Sequence, residues 1–513
     1  MKNSKMKNVF KIFLVLSVLC VSIFAQNTEP KPSAPKSVKI PAIKETTLKT
    51  GLKVAVVERK DIPLVTVTLL IKSGAESEEE EKAGLANMTA DLLTKGTKTR
   101  TATQIAEQME FLGGSLNSGA GWNSTTVSVN VMADKLDQAM AIMADVALNP
   151  AFKQDEIDLL KSQTLDGLTY NLTQPGFLAN YVASAYSFYK HPSGGTVASI
   201  NSISRNDISV FYKEQFIADN AVLIYTGDIT AVKAKAISQK YFGKMGNDNG
   251  ITEIFESPDS MTITQTADSV KENKLKEANQ PLVKRVLVVD LPNSGQAAVN
   301  FARNMQYNGR VYSDGNGGNT TISRTYFPAT VLNSLLGGGY SSRLNQEIRI
   351  KRGLSYGAGS SFNWQWYSSD FSTRTQTKNE SAAEVAELVT IELKRLSEGE
   401  IPEAELNPRR LVLTGGFGRN IETNQGLANA IADLYSFGLP ADTLNSYMNN
   451  VMSVKDTQIK QFAAENFNGG DIIIVGDYAK FKDDLAKRFP DMKIEVIKAD
   501  ELDITKENLR KSN

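Results

Sequence analysis

The stretch KVAVVERKDIPLVTVTLLI, residues 53–71, returns in altered form as KRVLVVDLPNSGQAAVNFAR, residues 284–303. Each copy holds two runs rich in β-branched residues. Such side chains fit a pleated, half-buried surface, so each copy predicts a pair of strands. The elements that follow come in the same order both times. GLANMTADLLTKG (84–96) is matched by FPATVLNSLLGGG (327–339), and LDQAMAIMADVALNPAFKQDEI (136–157) by AAEVAELVTIELKRLSEGEIPEAEL (382–406). LANYVASAYSFYKHP (178–192) is matched by LANAIADLYSFGLP (427–440), and NAVLIYTGDIT (220–230) by DIIIVGDYAK (471–480). An offset of roughly 230 to 250 residues is the length of a whole domain, not of a solenoid unit. The chain is therefore expected to fold as two homologous α+β domains, each a mainly antiparallel sheet with helices packed on one face.

Local patterning fills in the first copy. TATQIAEQMEFLGG (101–114) has helical periodicity and ends on paired glycines, STTVSVNVMA (124–133) alternates like a half-buried strand, and Pro150 stops the helix before it. The polar stretch 256–281 reads as the connector between the halves. The stretch MQYNGRVYSDGNGGNTTISRTY (305–326) has no counterpart in the first half and reads as a flexible insertion.

Bulk properties bound the function. Of 513 residues, 41% are hydrophobic and 22% charged, which is ordinary for a globular protein. Lys plus Arg and Asp plus Glu each total 57, so no basic field invites nucleic acid. Lys2, Lys5, Lys7 and Lys11 precede an apolar run over 12–24, with a cleavage point at Ala25-Gln26. This is the pattern of a secretory signal peptide and too short for a lasting membrane span, so the protein is expected to be exported, periplasmic or secreted. Cys20 is the only cysteine. A lipid anchor on it would make the protein membrane-associated, although Leu19 before it is bulky for that processing. The expected map is a signal peptide over 1–25, a Pro/Lys-rich arm over 26–47, a first domain over 48–255, a linker over 256–281, a second domain over 282–497 and a polar tail over 498–513.

His191 is the only histidine, which excludes a multi-histidine metal site and a second histidine acid/base, and no Ser/His/Asp or Cys/His arrangement supports an autonomous hydrolase. Pro192 and Gly194 mark a bend at which His191 is expected to pack or cap a turn.

Six strings resemble the insulinase/pitrilysin (inverzincin) peptidase family, in particular its smaller two-domain branch related to the mitochondrial processing peptidase. They are GLANMTADLLTKGT (84–97), LNPAF (148–152), KHPSGG (190–195), DNAVLIYTGDIT (219–230), VLVVDLPNSGQAA (286–298) and LLGGGYSSRLNQEIRIKRGLSYGAGSSF (335–362). The resemblance implies LuxS/mitochondrial-processing-peptidase-like domains arranged as a clamshell, with a peptide joining a sheet edge. Active members carry His-x-x-Glu-His, whose two histidines grip zinc while the glutamate handles the proton of the attacking water. Here that motif falls on 87–91. Asn87 and Asp91 stand for the histidines and Ala90 for the glutamate. The third family ligand, a distant Glu, falls near Asp166 or Gly167. Zinc must lower the pKa of its water from 15.7 to about 7, and an amide with one or two carboxylates does not replace imidazole in that task. No zinc is therefore expected on this chain. A hard cation on Asn87, Asp91 and Asp166 is set against an ordinary solvated helix face.

The same resemblance gives Arg349 and Tyr356 the role of the family's Arg/Tyr pair, which reaches a zinc site across the cleft and holds the substrate backbone and developing oxyanion. Read without the family, Arg349 is a surface charge and Tyr356 a core aromatic. Gly337, Gly338 and Gly339 either face a bound peptide or cap the helix before them. Some branches divide the work between two chains, one with zinc and one with the Arg/Tyr pair. The resemblance thus implies a non-catalytic subunit whose zinc-bearing homologue supplies the metal in a heterodimer. The competing expectation is a peptide-binding or scaffold protein with no part in catalysis.

Overall fold

The structure, a computed structural model, describes residues 38, 40–246, 282–306, 309–312, 320–366 and 368–511. The signal peptide, most of the arm and the linker expected at 256–281 lie outside the described residues. The first half contributes strands β1 (Ile43–Thr47), β2 (Lys53–Glu58), β3 (Leu64–Ile71), β4 (Ser115–Ala120), β5 (Thr125–Met132) and β6 (Ala221–Gly227). Its helices are α1 (Leu85–Leu93), α2 (Ala102–Phe111), α3 (Leu136–Leu148), α4 (Gln154–Asn171), α5 (Pro175–Tyr186), α6 (Val197–Ser202), α7 (Arg205–Gln215) and α8 (Ala231–Phe242). The six strands lie in the order β1-β2-β6-β3-β5-β4, antiparallel except for β2 beside β6.

The second half repeats the plan with β7 (Val283–Asp290), β8 (Ala297–Gln306), β9 (Val311–Tyr312), β10 (Thr321–Ile322), β11 (Ser355–Trp364), β12 (Ser368–Thr377), β13 (Gly470–Gly476) and β14 (Ile494–Lys498). Its helices are α9 (Tyr326–Leu336), α10 (Ala382–Glu398), α11 (Glu403–Glu422), α12 (Asn424–Ser436), α13 (Tyr447–Ser453), α14 (Asp456–Asn466) and α15 (Lys482–Arg488). The large sheet runs β11-β12-β8-β13-β7-β14, with β7 parallel to both neighbours and the other pairs antiparallel. The two-domain α+β expectation is met, with two mainly antiparallel sheets.

Strand side chains alternate between faces, and each face of each sheet has its own cover. Val54, Val56, Val65, Val67 and Leu69 form one core with Met140 and Met143 of α3. The opposite face, with Ala55, Val57, Leu70, Val222 and Ile224, packs against Leu427, Ala428 and Ile431 of α12 from the second half. The exchange is reciprocal. Leu178, Ala179, Val182 and Ala183 of α5, from the first half, cover Leu287, Val289, Ala298, Ala302, Ile473 and Val475 of the second sheet. Each sheet therefore keeps its own helices on one face and receives one helix from the other half on the second. Each such Leu, Ile or Val contributes about 1.5–3 kcal/mol by leaving water. Side-chain bonds seal the same contacts: Thr226 Oγ1 donates to Asn424 O at 2.8 Å, and Ser187 Oγ donates to Asp471 Oδ2 at 2.8 Å. Both sheets lie in one compact unit, residues 39–513.

Three segments carry more structure than the sequence reading gave them. The arm ends earlier than 47, because β1 pairs with β2 along Ile43–Thr47. The polar tail is anchored, because Ile504 and Leu509 are buried in the core beneath α5. Part of the 305–326 insertion is ordered: β9 and β10 form a short hairpin, and buried Arg310 pairs with Asp433 at 2.6 Å. The rest of that insertion, 307–308 and 313–319, lies outside the described residues. Among the described residues, no helix is long and apolar enough to cross a membrane.

Candidate functional site

Helix α1 holds the degenerate motif, and its start is built with care. Gly84, its N-cap, has φ +96°, and a Cβ there would lie 2.7 Å from Ile200 Cδ1, so glycine is required. With no cap from its own side chain, the helix takes one from Glu78. The carboxylate accepts from Gly84 N at 2.8 Å and from Ala86 N at 2.7 Å. Burial pushes the Glu78 carboxyl up to about 7, against the pull of these backbone donors. His191 Nδ1 lies 3.6 Å from Glu78 Oε1, and its ring sits 5.1 Å from that of Trp122. Burial lowers the His191 pKa, so the imidazole is neutral at pH 7. The histidine thus packs at the bend as the sequence suggested.

The motif positions do not fit zinc. Asn87 donates its Nδ2 to Ser193 O at 2.6 Å, which ties the amide to the loop that holds His191. Ala90 is fully buried, so its position is closed as well as short of a proton acceptor. Asp91, one helical turn beyond Asn87, is exposed. Asp166 and Gly167 sit exposed on α4. Among the described residues, no group of three or more His, Cys, Asp or Glu side chains converges in a way that could hold a metal ion.

The second half presents a different arrangement. After α9 the chain makes a π-helical turn over Asn345–Ile350, anchored by Arg343, which grips Glu405 with two bonds of 2.8 Å. The turn ends with Leu354 N donating to Ile348 O, which feeds the chain into β11. In β11, Ser355 pairs with Thr377 and Ala358 with Thr375, so Tyr356 and Gly357 together face Gln376 alone. This is a β-bulge, a device that re-aims a side chain. Ser355 Oγ holds it by donating to Gln376 O at 2.6 Å and accepting from Gly357 N at 3.1 Å. The result is a Tyr356 that is 94% exposed. The Arg349 guanidinium lies 5.7 Å from the Tyr356 ring centre and 5.0 Å from that of Tyr340. The structure therefore brings Arg349 and Tyr356 together and excludes the reading of Tyr356 as a core aromatic.

The glycines behind this pair serve the sheet edge. None of Gly337, Gly338 and Gly339 has a positive φ. Gly337 ends α9, and a Cβ on it would lie 2.3 Å from Ser360 N, so glycine lets α9 press against β11. Gly337 O accepts from Ser360 N at 3.3 Å, and Asn345 Oδ1 accepts from Ala358 N at 3.0 Å. The outer edge of β11 is thus already occupied at these two residues. Gly339 alone has open space around it.

Arg349 and Tyr356 line a cavity of about 710 Å³. Its floor is the second sheet: Gln296 and Asn300 near and on β8, and Arg374, Gln376 and Lys378 along and just past β12. Gly176 and Asn180 of α5 close one side. Asn87, Ala90 and Asp91 do not line it. The sequence reading missed the β12 and α5 contributors. Its available signal was the run RTQTK (374–378), in which Arg374, Gln376 and Lys378 are exposed and Thr375 and Thr377 buried.

Two family models match the chain. Residues 53–175 match "Insulinase (Peptidase family M16)", and residues 202–410 match "Peptidase M16 inactive domain". Among curated relatives, an uncharacterized zinc protease of Rickettsia bellii is 24% identical over 82% of this chain and 94% of its own. A probable mitochondrial-processing peptidase subunit beta of Arabidopsis thaliana is 27% identical over 43% of each chain. Among solved structures, the peptidase M16 inactive domain from Pseudomonas fluorescens superposes with a TM-score of 0.71 at 23% identity, covering 85% of this chain and 98% of the other. A protease from Helicobacter pylori does so with a TM-score of 0.73 at 20% identity, over 85% and 100%. These structures share the fold, and the two family models together span more than half of the residues. The chain belongs to the insulinase family, peptidase family M16.

Proposed function

We propose that this chain is a non-catalytic subunit of an exported, heterodimeric zinc peptidase. The observation that carries the reading is the contrast between the two halves. The motif positions of the first hold Asn87, Ala90 and Asp91, while the second sets Arg349, on its π-helical turn, beside Tyr356, on the β11 bulge, and both line an open cavity. In the proposed complex a homologue with His-x-x-Glu-His holds the zinc. Arg349 brings a fixed, forked charge and Tyr356 a phenolic donor. Both suit a peptide carbonyl whose oxygen gains negative charge as the bond is attacked. The polar edge strand β4, next to α1, is a second place where an extended peptide lies in this reading, because β4 pairs only with β5. Gly337, Gly338 and Gly339 support the pair from behind. The signal pattern at 1–25 supports a location outside the cytoplasm.

The test is reconstitution. A homologue with an intact zinc motif is assayed on an unstructured peptide, alone and with this chain. The expected result is a rate for the pair well above that of the homologue alone, with Tyr356→Phe lowering kcat of the pair about 100-fold. A pair no faster than the homologue alone sinks the proposal. Stimulation that survives both Arg349→Ala and Tyr356→Phe leaves a scaffold that takes no part in the chemistry.

A further inference from the structure

We infer that the cavity beside Tyr356 is selective for peptide carboxylates, and so for acidic peptides over neutral or basic ones. The inference rests on the reading that this cavity takes peptide. Its lining contains three cations, Arg349, Arg374 and Lys378, and not one Asp or Glu. That local imbalance stands out in a chain with 57 basic and 57 acidic residues. Cations on this surface are otherwise often paired, as in Lys351 and Arg352 with Glu347, or Arg488 with Asp484. Among the described residues, none of the three cavity cations has a carboxylate partner. Arg374 has only a 3.4 Å contact with Ser361 Oγ.

Geometry makes the three act together. Arg374 of β12 and Lys378 just past its end fall in the same exposed alternation as Gln376. Arg349 approaches from the π-helical turn on the other side of the bulge. The amide of Gln296 lines the same cavity, and those of Asn300 and Asn180, which meet each other at 3.0 Å, complete its wall without adding charge. The guanidinium forks of Arg349 and Arg374 match the two oxygens of a carboxylate. Because the outer edge of β11 is already bonded at Ala358 and Ser360, recognition here falls to side chains rather than to strand addition. Like charges gathered in a concave wall focus their field and raise the local concentration of an anionic ligand.

The test measures binding of the full chain to three fluorescent peptides of equal length, one rich in Asp and Glu, one neutral and one rich in Lys. Each is made with a free and with an amidated C-terminus. The acidic peptide is expected to bind about tenfold more tightly than the neutral one at low salt, and the advantage should shrink as salt is raised. R374Q/K378Q should lose roughly threefold to fivefold per charge for the acidic peptide and leave the amidated neutral one unchanged. A loss of affinity on amidation of the neutral peptide assigns the carboxylate to the chain end, and an acidic preference that persists among the amidated peptides assigns it to side chains. Equal affinity for all three peptides, unchanged by amidation, overturns the inference while leaving the proposed subunit role standing. Acidic preference without stimulation of a zinc-bearing homologue sinks the subunit role and keeps the inference. If no peptide binds, both fall.

Discussion

Lys190 of the first half and Asp370 of the second form an ion pair, Nζ to Oδ1 at 3.0 Å, within the contact between the halves. Their side chains are 16% and 7% exposed, and the Trp122 ring lies 5.5 Å from the ammonium. Burial raises the Asp370 pKa and lowers that of Lys190, and each charge opposes the shift of the other. Desolvation offsets most of the Coulomb gain in such a pair, yet removal of one partner strands a buried charge. Asp370→Ala is therefore expected to lower the unfolding free energy by about 3–5 kcal/mol, while K190M/D370L loses far less. Urea titrations of the three proteins check this. A cost below about 1 kcal/mol for Asp370→Ala would place the pair with ordinary surface bridges and refute the claim.

The exchanged helices make a prediction about cooperativity. Residues 40–246 expressed alone would leave Ala55, Val57, Leu70 and Ile224 without α12, and would leave the apolar face of α5 without a sheet. Residues 282–511 would suffer the reverse loss. Exposed patches of this kind drive aggregation. Each half alone should be insoluble or bind a hydrophobic dye, and the full chain should unfold in one transition. Two separated transitions in the full chain, or soluble halves with native-like melting, would show that the helices are not shared in the way the packing implies.

The repeat was legible because strand and helix periodicities survive where identities do not. The exchange was only half legible. The runs AVLIYTG of β6 and DIIIVG of β13 are apolar at consecutive positions, and a strand reads that way when both its faces are covered. Such a run does not say which helix provides the cover, since that depends on contacts between residues more than a hundred positions apart. Arg349 and Tyr356 were found through resemblance, not through pattern. Their pairing depends on a bulge, and a bulge is a relation between β11 and β12 that neither strand declares alone. Gly337 was ambiguous for a similar reason: the close approach that demands glycine involves Ser360, on another element.

Glu78 gives a pH signature. Its carboxyl is raised in the folded state to about 7 from an ordinary value of 4.5. The folded protein then holds more protons than the unfolded chain between these limits, so the contribution of Glu78 is greatest below pH 4.5 and falls as pH rises to about 7. Glu78→Gln cannot titrate. It also offers one acceptor to two backbone donors, so it should be less stable than the parent at pH 5 by about 1–3 kcal/mol. On going to pH 8 the parent should lose up to roughly 3 kcal/mol relative to the variant, which narrows or reverses the gap. Denaturant melts at the two pH values decide it. A constant gap would show that Glu78 is ionised throughout and that the α1 donors outweigh its burial.

Restoring the motif tests how completely the metal site is gone. N87H/D91H puts two imidazoles one helical turn apart, but a catalytic zinc takes three protein ligands, and Asp166 on α4 is exposed and outside any converging group. The histidine at 87 would also break the bond from Asn87 to Ser193 O that secures the bend at His191. This variant is expected to lose zinc on dialysis and to cut no peptide. Adding Ala90→Glu forces a long carboxylate into a position with no exposure, and overpacking alone costs about 1–3 kcal/mol before the charge is counted. The triple variant should therefore melt below the double one rather than gain activity. Metal content after dialysis, melting temperature and peptide hydrolysis are the three readouts. One zinc retained per chain by N87H/D91H, with hydrolysis, would mean that a third ligand and a base lie within reach of α1, and the non-catalytic reading would have to be abandoned.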